Sequence, residues 1–470
     1  MKTKKFFFAV AAAALGVAQA AGPTVGDVTI SQAGRQAVTI TYRLAGDPAI
    51  VTLEILNKGE PVDGALVQYV MGDVNKLVQP TAEGEVRTIK WQAEKSWPQQ
   101  LFADAAISAR VTAWATNAPP DVLVVDLSDG AMRYYADESY LPGGGLTNDM
   151  YRLSQMVFRR IPAAGVETTL GGKGKEYTWQ PTGTGEREAA HKVRFANDYY
   201  LGVFEVTQGQ WSKIYKKGNP SSFKNLDCNG TRPVETVGYS QIRGSATSGV
   251  NLWTPVNGVE PNADSFCGKL RALTGAAFDL PTECQWEFAA HGGTTNTFYN
   301  GHTYIASPKG GGTVDDAIVA EAQANLSLLG RWQGNGGLID GKTTPDAATC
   351  TTENGPARVG TYLPSAYGLY DMLGNVRETC REACLHSNTA NNSKREWSAT
   401  DIVNPVSSQA YGAITQDAIS TSSTGDAALV KGGSWKDPWY KCLPSAADSD
   451  VYWWGGASHA GCRIMLEIAQ

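Results

Sequence analysis

The sequence predicts two folds in series: an antiparallel β-sandwich over residues 23–117, then a loop-rich mixed α+β domain over residues 150–470. A connector, residues 118–149, joins them. Two observations along the chain carry this division. Up to Asn117, short apolar-alternating runs are separated by turn residues. Beyond Tyr151, strands interleave with helical periodicities that carry capping signals. Composition agrees, because 51 glycines and 13 tryptophans suit an irregular mixed fold better than a helical bundle.

The chain opens with Lys2, Lys4 and Lys5, an apolar run from Phe6 to Val17, and the small-x-small pattern Ala18-Gln19-Ala20. This reads as a signal peptide over residues 1–20, too short to anchor in a bilayer. The expectation is an exported protein, periplasmic or extracellular, with no membrane span. The net charge of −6 becomes more negative once the leader's lysines are gone, and no basic stripe suggests nucleic acid. All eight cysteines lie after residue 227. Export permits disulfides, but spacing does not give their pairing. The five histidines form no HExxH or HxH pattern.

In the first domain, Asp27–Ser31, Ala37–Leu44, Ile50–Asn57, Val86–Trp91 and Ala106–Trp114 read as strands, with turn signals at Ala45–Pro48 and Asn57–Gly59. Their number and spacing suggest a sandwich of immunoglobulin or fibronectin type III character. No chemical motif stands out there. Ala118-Pro119-Pro120 ends it, and the connector holds one strand, Val122–Leu127.

In the second domain, Met156–Ile161 and Tyr199–Val206 read as strands. Thr207 caps the next helix, with Gln210 completing a capping box. Ala263–Thr274 and Thr282–Ala290 are further helices, and Thr303–Ile339 reads as irregular. Tyr367–Glu378, YGLYDMLGNVRE, gathers two glycines with Asp371, Asn375 and Glu378 among apolar residues. The residues alone leave two readings open: an oxygen cage for a hard cation, or a tight turn capped by its acids.

Six blocks stand in one order: GVFEVTQGQW, RPVETVGYSQIRG, DLPTECQWEFAAHGG, YGLYDMLGNVRE, VKGGSW and GCRIML. Together they resemble the sulfatase-modifying-factor family, whose founding activity is the formylglycine-generating enzyme. The resemblance covers roughly residues 150–470 and implies a C-type-lectin-like α+β fold. It implies structural calcium held by Asp371, Gly374, Val376 and Glu378, and a second calcium at Asn325 and Leu326. It also pairs a helix cysteine, matching Cys267, with the last strand, where Cys462 is the nearest cysteine.

The same resemblance places two copper(I)-binding cysteines three and eight residues after the serine of the GGS motif, here Ser434. The first position is Asp437, a hard donor poorly suited to copper(I), and the second is Cys442. The family's Trp-Glu-Trp is Arg377-Glu378-Thr379, and Asp448 replaces an arginine. Copper is therefore not expected, and Cys442 is left as a weak catalytic candidate. The resemblance implies a groove for a client peptide in this region, where Trp435, Asp437, Trp439, Trp453 and Trp454 are the candidate lining. The expected function is that of an exported, non-catalytic binding or scaffold protein with a peptide or glycan ligand. Two alternatives stay open: an oxidoreductase with altered metal ligation, and a carbohydrate- or peptide-recognition protein.

Overall fold

The computed structural model describes residues 22–32, 37–98, 106–171, 191–224, 230–244, 260–302, 316–336, 354–385, 402–403, 426–452 and 455–469. The leader, Cys228, Cys350, His386, Trp453 and Trp454 lie outside them. The chain divides into two compact units that part near Asn117.

The first unit is built from β1 (Thr24–Gln32), β2 (Val38–Ala45), β3 (Ala49–Asn57), β4 (Glu60–Pro61), β5 (Val70–Gly72), β6 (Lys76–Val78), β7 (Arg87–Trp91) and β8 (Ile107–Trp114). A single helical turn, α1 (Ala93–Ser96), follows β7. One sheet has the order β1-β2-β7-β5; in the other, β3 pairs with β4, β6 and β8. Every pairing is antiparallel. The alternation read from the sequence is the cause. Val38, Ile40, Tyr42 and Leu44 of β2 are buried while the residues between them are not. Trp91 is buried, with its indole N–H near Ser96. The five expected strands form; β4, β5 and β6 were too short to show a period.

The expected connector belongs to the second unit. Its β9 (Val122–Asp126) and β10 (Met132–Tyr135) pair with each other, and β9 pairs with β11 (Gln155–Ile161). Buried Val122–Val125 form a strand that is apolar on both faces, as an inner strand should be. A one-turn helix, α2 (Met150–Leu153), precedes β11. The sheet runs β10-β9-β11-β14-β20, with β14 at Tyr199–Gly202 and β20 at Met465–Glu467. A smaller sheet joins β12 (Glu167–Leu170), β13 (His191–Arg194) and β16 (Ile402–Val403). A third has the order β18-β17-β15-β19, from β15 (Arg377–Leu385), β17 (Asp426–Lys431), β18 (Ala447–Tyr452) and β19 (Ala460–Cys462).

Helices α3 (Gln208–Tyr215), α4 (Tyr239–Ile242), α5 (Phe266–Thr274), α6 (Glu283–Ala290) and α7 (Asp316–Leu329) complete this unit. Thr207 and Thr282 cap α3 and α6 with full capping boxes, and Ser265 caps α5. Helix α7 corrects the expectation of an irregular segment. Ala322, Leu326 and Leu329 are its buried apolar residues at helical spacing, and the glycine clusters before and after it obscured that period. No helix among the described residues is long and apolar enough to cross a membrane.

Candidate functional site

The YGLYDMLGNVRE stretch leads into β15 through a turn with unusual backbone. Asp371 and Asn375 have φ of 58° and 61°, and Gly374 has φ of 98°. A Cβ at Gly374 would stand 2.3 Å from the Arg331 carbonyl oxygen, so only glycine fits there. Asn375 tolerates the left-handed region and knits its surroundings together. Its Oδ1 accepts from Ala357 N–H, and its Nδ2 donates to Glu205 Oε2 at 2.6 Å. Two backbone bonds zip this turn to the GGS turn: Gly374 N–H to Gly432 O at 2.6 Å, and Trp435 N–H to Asn375 O at 2.8 Å.

Glu378 is the centre of a buried charge cluster. Arg463 Nη2 donates to its Oε1 at 2.6 Å and Arg463 Nε to its Oε2 at 2.8 Å. Trp286 Nε1–H on α6 donates to Oε2 at 2.5 Å. Arg463 has its other donors on the carbonyls of Gly202, Val203 and Tyr370. Two more acids crowd the same guanidinium. Glu205 accepts from Val376 N–H, and burial, then Asp371 and Glu378, push its carboxyl well above the ordinary range. Asp371 Oδ2 accepts from Gly360 N–H, while its Oδ1 is buried with no hydrogen-bond partner among the described residues. Burial raises Asp371 to about 6.

Both Glu378 oxygens thus face Arg463 and Trp286, whereas Asp371 keeps a buried oxygen that a cation could use. Asn325 and Leu326 differ from expectation. They lie within α7, not in a loop; Asn325 Oδ1 accepts from Asn300 Nδ2, and the Leu326 carbonyl accepts from Gly330 N–H. Both oxygens thus accept one bond each, from the neighbouring Asn300 and from the end of the helix.

Beside this cluster, the position of the missing cysteine is filled by an ion pair. Arg377 Nη2 donates to Asp437 Oδ1 at 2.6 Å and Arg377 Nε to Oδ2 at 2.8 Å. Ser434 Oγ donates to Asp437 Oδ2 at 2.5 Å. The chain of charge continues outward from Arg377 to Asp448 at 3.2 Å and from Asp448 to Lys441 at 2.9 Å. Burial alone would raise Asp437, but the Arg377 and Ser434 contacts hold it below the ordinary carboxylate value. Cys442 is fully buried, its sulfur 3.9 Å from Pro438 O, and burial followed by the Asp437 charge pushes its thiol well up. A proton stays on such a sulfur, which opposes both nucleophilic attack and soft-metal binding. Among the described residues, no three His, Cys, Asp or Glu side chains are grouped to hold a metal.

The aromatic groove is also corrected. Trp435 is buried, its ring edge-on to Phe223 and its indole N–H on Ser458 O. Trp439 is buried against Tyr440. With Asp437 buried as well, none of these three lines an open groove. Cys267 and Cys462 share one core cluster but stand as free thiols, so the expected bridge is not formed here.

Glu205 and Arg463 were not singled out from the sequence. The signals were a lone acid inside GVFEVTQGQW, between Phe204 and Val206, and a lone base inside GCRIML. A charge inside an apolar run needs a buried partner.

The sulfatase-modifying factor enzyme 1-like domain model matches residues 161–468. The chain belongs to this family. Chaperone protein LppX of Paenibacillus barcinonensis is 29% identical over 214 residues, covering 42% of this chain and 67% of that protein. The formylglycine-generating enzyme of Thermomonospora curvata is 33% identical over 109 residues, covering 23% of this chain and 28% of the enzyme. Similar solved structures include Treponema denticola variable protein 1, at 19% identity and TM-score 0.39, covering 66% of this chain and 95% of that one. PvdO from Pseudomonas aeruginosa gives 17% and 0.40, covering 66% and 94%. The mostly β-sheet architecture described above is therefore that of a sulfatase-modifying-factor domain following a unit the family model does not cover.

Proposed function

We propose that this chain is an exported, non-catalytic member of the sulfatase-modifying-factor family that holds a client polypeptide rather than oxidising one. The observation that carries this is the Arg377–Asp437–Ser434 arrangement. Where the family resemblance calls for a first copper-binding thiolate, a carboxylate is locked to a guanidinium, and the remaining sulfur, Cys442, is a buried thiol. The name of the Paenibacillus relative, a chaperone, points the same way. In the first unit, the orders β1-β2-β7-β5 and β4-β3-β8 favour the immunoglobulin-like reading, since they follow the A-B-E-D and C-F arrangement of that sandwich.

Calcium belongs to the same reading. Asp371 and Glu378, with the Gly374 and Val376 carbonyls, would hold it, and the supporting observation is the unpartnered Asp371 Oδ1. The ion would offset the acids that Arg463 alone leaves in excess, a structural role with no part in chemistry.

Copper(I) titration of the reduced protein under anaerobic conditions tests the central claim. The expected result is no tight one-to-one complex. Tight binding that disappears in Cys442→Ser overturns the proposal in favour of an oxidoreductase with altered ligation. The client half is tested by the turbidity of a heat-unfolded test protein: suppression at equimolar ratio is expected, and none counts against it.

A further inference from the structure

One buried lysine stands apart from the charges described above. Lys431 ends β17, and its side chain has no exposed surface. It faces Glu283 and Glu287, which are one turn apart on α6 and are buried too. Lys431 Nζ donates to Glu287 Oε2 at 2.9 Å and to Ser445 O at 3.1 Å, and lies 3.6 Å from Glu283 Oε1. The other Glu287 oxygen, Oε1, accepts from Gly171 N–H, just past β12, at 2.6 Å. His291 Nε2 stands 3.9 Å from that same oxygen. Trp286, Leu429, Leu443 and Ala446, near neighbours of these groups in the chain, share one apolar core.

A charged pair in such a core carries a desolvation cost that apolar side chains of similar volume would avoid. The arrangement has the four parts of an acyl-transfer centre. An amine touches a carboxyl group. The carboxyl oxygen turned away from the amine holds a backbone N–H. A second carboxylate stands beside the amine and can carry a proton. Fixing the reacting groups in contact replaces the high concentration that amide formation would need in water. A closed core also keeps water from reversing the reaction.

We propose that Lys431 and Glu287 condense to an intramolecular amide, Nζ to Cδ, with Glu283 as the proton carrier. The resting state is an ion pair: burial lowers Lys431, but Glu287 and Glu283 hold it above its ordinary value. The reaction therefore begins with a proton transfer. Lys431 passes one proton to Glu287 Oε2, which leaves a neutral amine beside a neutral acid. The Nζ lone pair then bonds to Cδ, and the Gly171 N–H meets the charge that develops on Oε1. Glu283 takes a second proton from the nitrogen and returns it to Oε2, whose bond to Cδ breaks. One water leaves and nothing is oxidised or reduced. Glu283 ends ionised, as it began, and accepts from the new amide N–H. The bond ties α6 to β17 across 144 positions of chain. This inference does not depend on the copper or client readings.

The intact mass of the reduced, denatured full chain tests it, followed from fresh preparation through long incubation at neutral pH. The expected mass is that of the sequence less one water. Proteolysis should release a branched peptide that joins the segments carrying Lys431 and Glu287. Lys431→Arg keeps the charge but cannot form this amide, and should show the full mass. Glu283→Gln keeps the shape but carries no proton, and should slow the loss of water about tenfold or more. A parent that keeps its full mass, or loses water at another site, overturns the inference and leaves the three groups as an ion cluster. A Glu283→Gln chain that reacts as fast as the parent overturns the role given to Glu283.

Discussion

At the scale of single residues, the decisive position is Asp437. From the sequence it was only a missing cysteine. The structure makes it half of a buried ion pair whose other half, Arg377, stands where the family has a tryptophan. Two departures that looked separate in the sequence are one contact, and no spacing rule joins positions 60 residues apart. Removing one partner of such a pair strands the other and costs about 3–5 kcal/mol. Asp437→Asn should therefore lower stability by about 3 kcal/mol at pH 7. Because Asp437 is held below its unfolded value, its contribution is present above about pH 4 and lost as pH falls through the folded value. Denaturant melts at pH 7 and pH 3 check this: the gap between parent and variant should narrow at the lower pH.

At the scale of elements, α6 does most to set the site, and its start was plain in the sequence. Thr282 accepts from Gln285 N–H while Gln285 Oε1 accepts from Thr282 N–H. That box fixes where the helix begins, and so where its side chains point. Trp286 meets Glu378 on one side, while Glu283 and Glu287 meet the fully buried Lys431 at 3.6 and 2.9 Å. The capping signal was legible because it is local; the destinations of Trp286 and Glu287 were not, because strands much later in the chain supply the partners. Thr282→Ala should cost about 1 kcal/mol through the lost cap. Urea melts should show the loss, and tryptophan fluorescence should report the loosened Trp286. Helix α7 was missed because the glycine clusters on either side of it masked its period.

At the scale of the molecule, the order of the family blocks could be read directly, whereas charge balance in the core could not. Glu205 lies far in sequence from Asp371 and Glu378, and all three face one Arg463. This changes how calcium should be tested. Glu378→Gln should destabilise with or without chelator, because it weakens the pair with Arg463. Asp371→Asn should abolish the calcium-dependent gain in Tm and leave the chelated protein no less stable, since Asp371 has an unpartnered oxygen and a raised pKa. A calcium-dependent gain that survives Asp371→Asn would remove that residue from the ligand set. The Arg463–Glu378 pair has a further consequence, for the order of events during synthesis. The two residues are 85 positions apart, and Trp286 lies 92 before Glu378. Until Arg463 leaves the ribosome, Glu378 lacks the buried guanidinium that pairs with both of its oxygens, and a nascent chain cannot close this core around it. The domain therefore closes late, once the segment that carries Arg463 has been made.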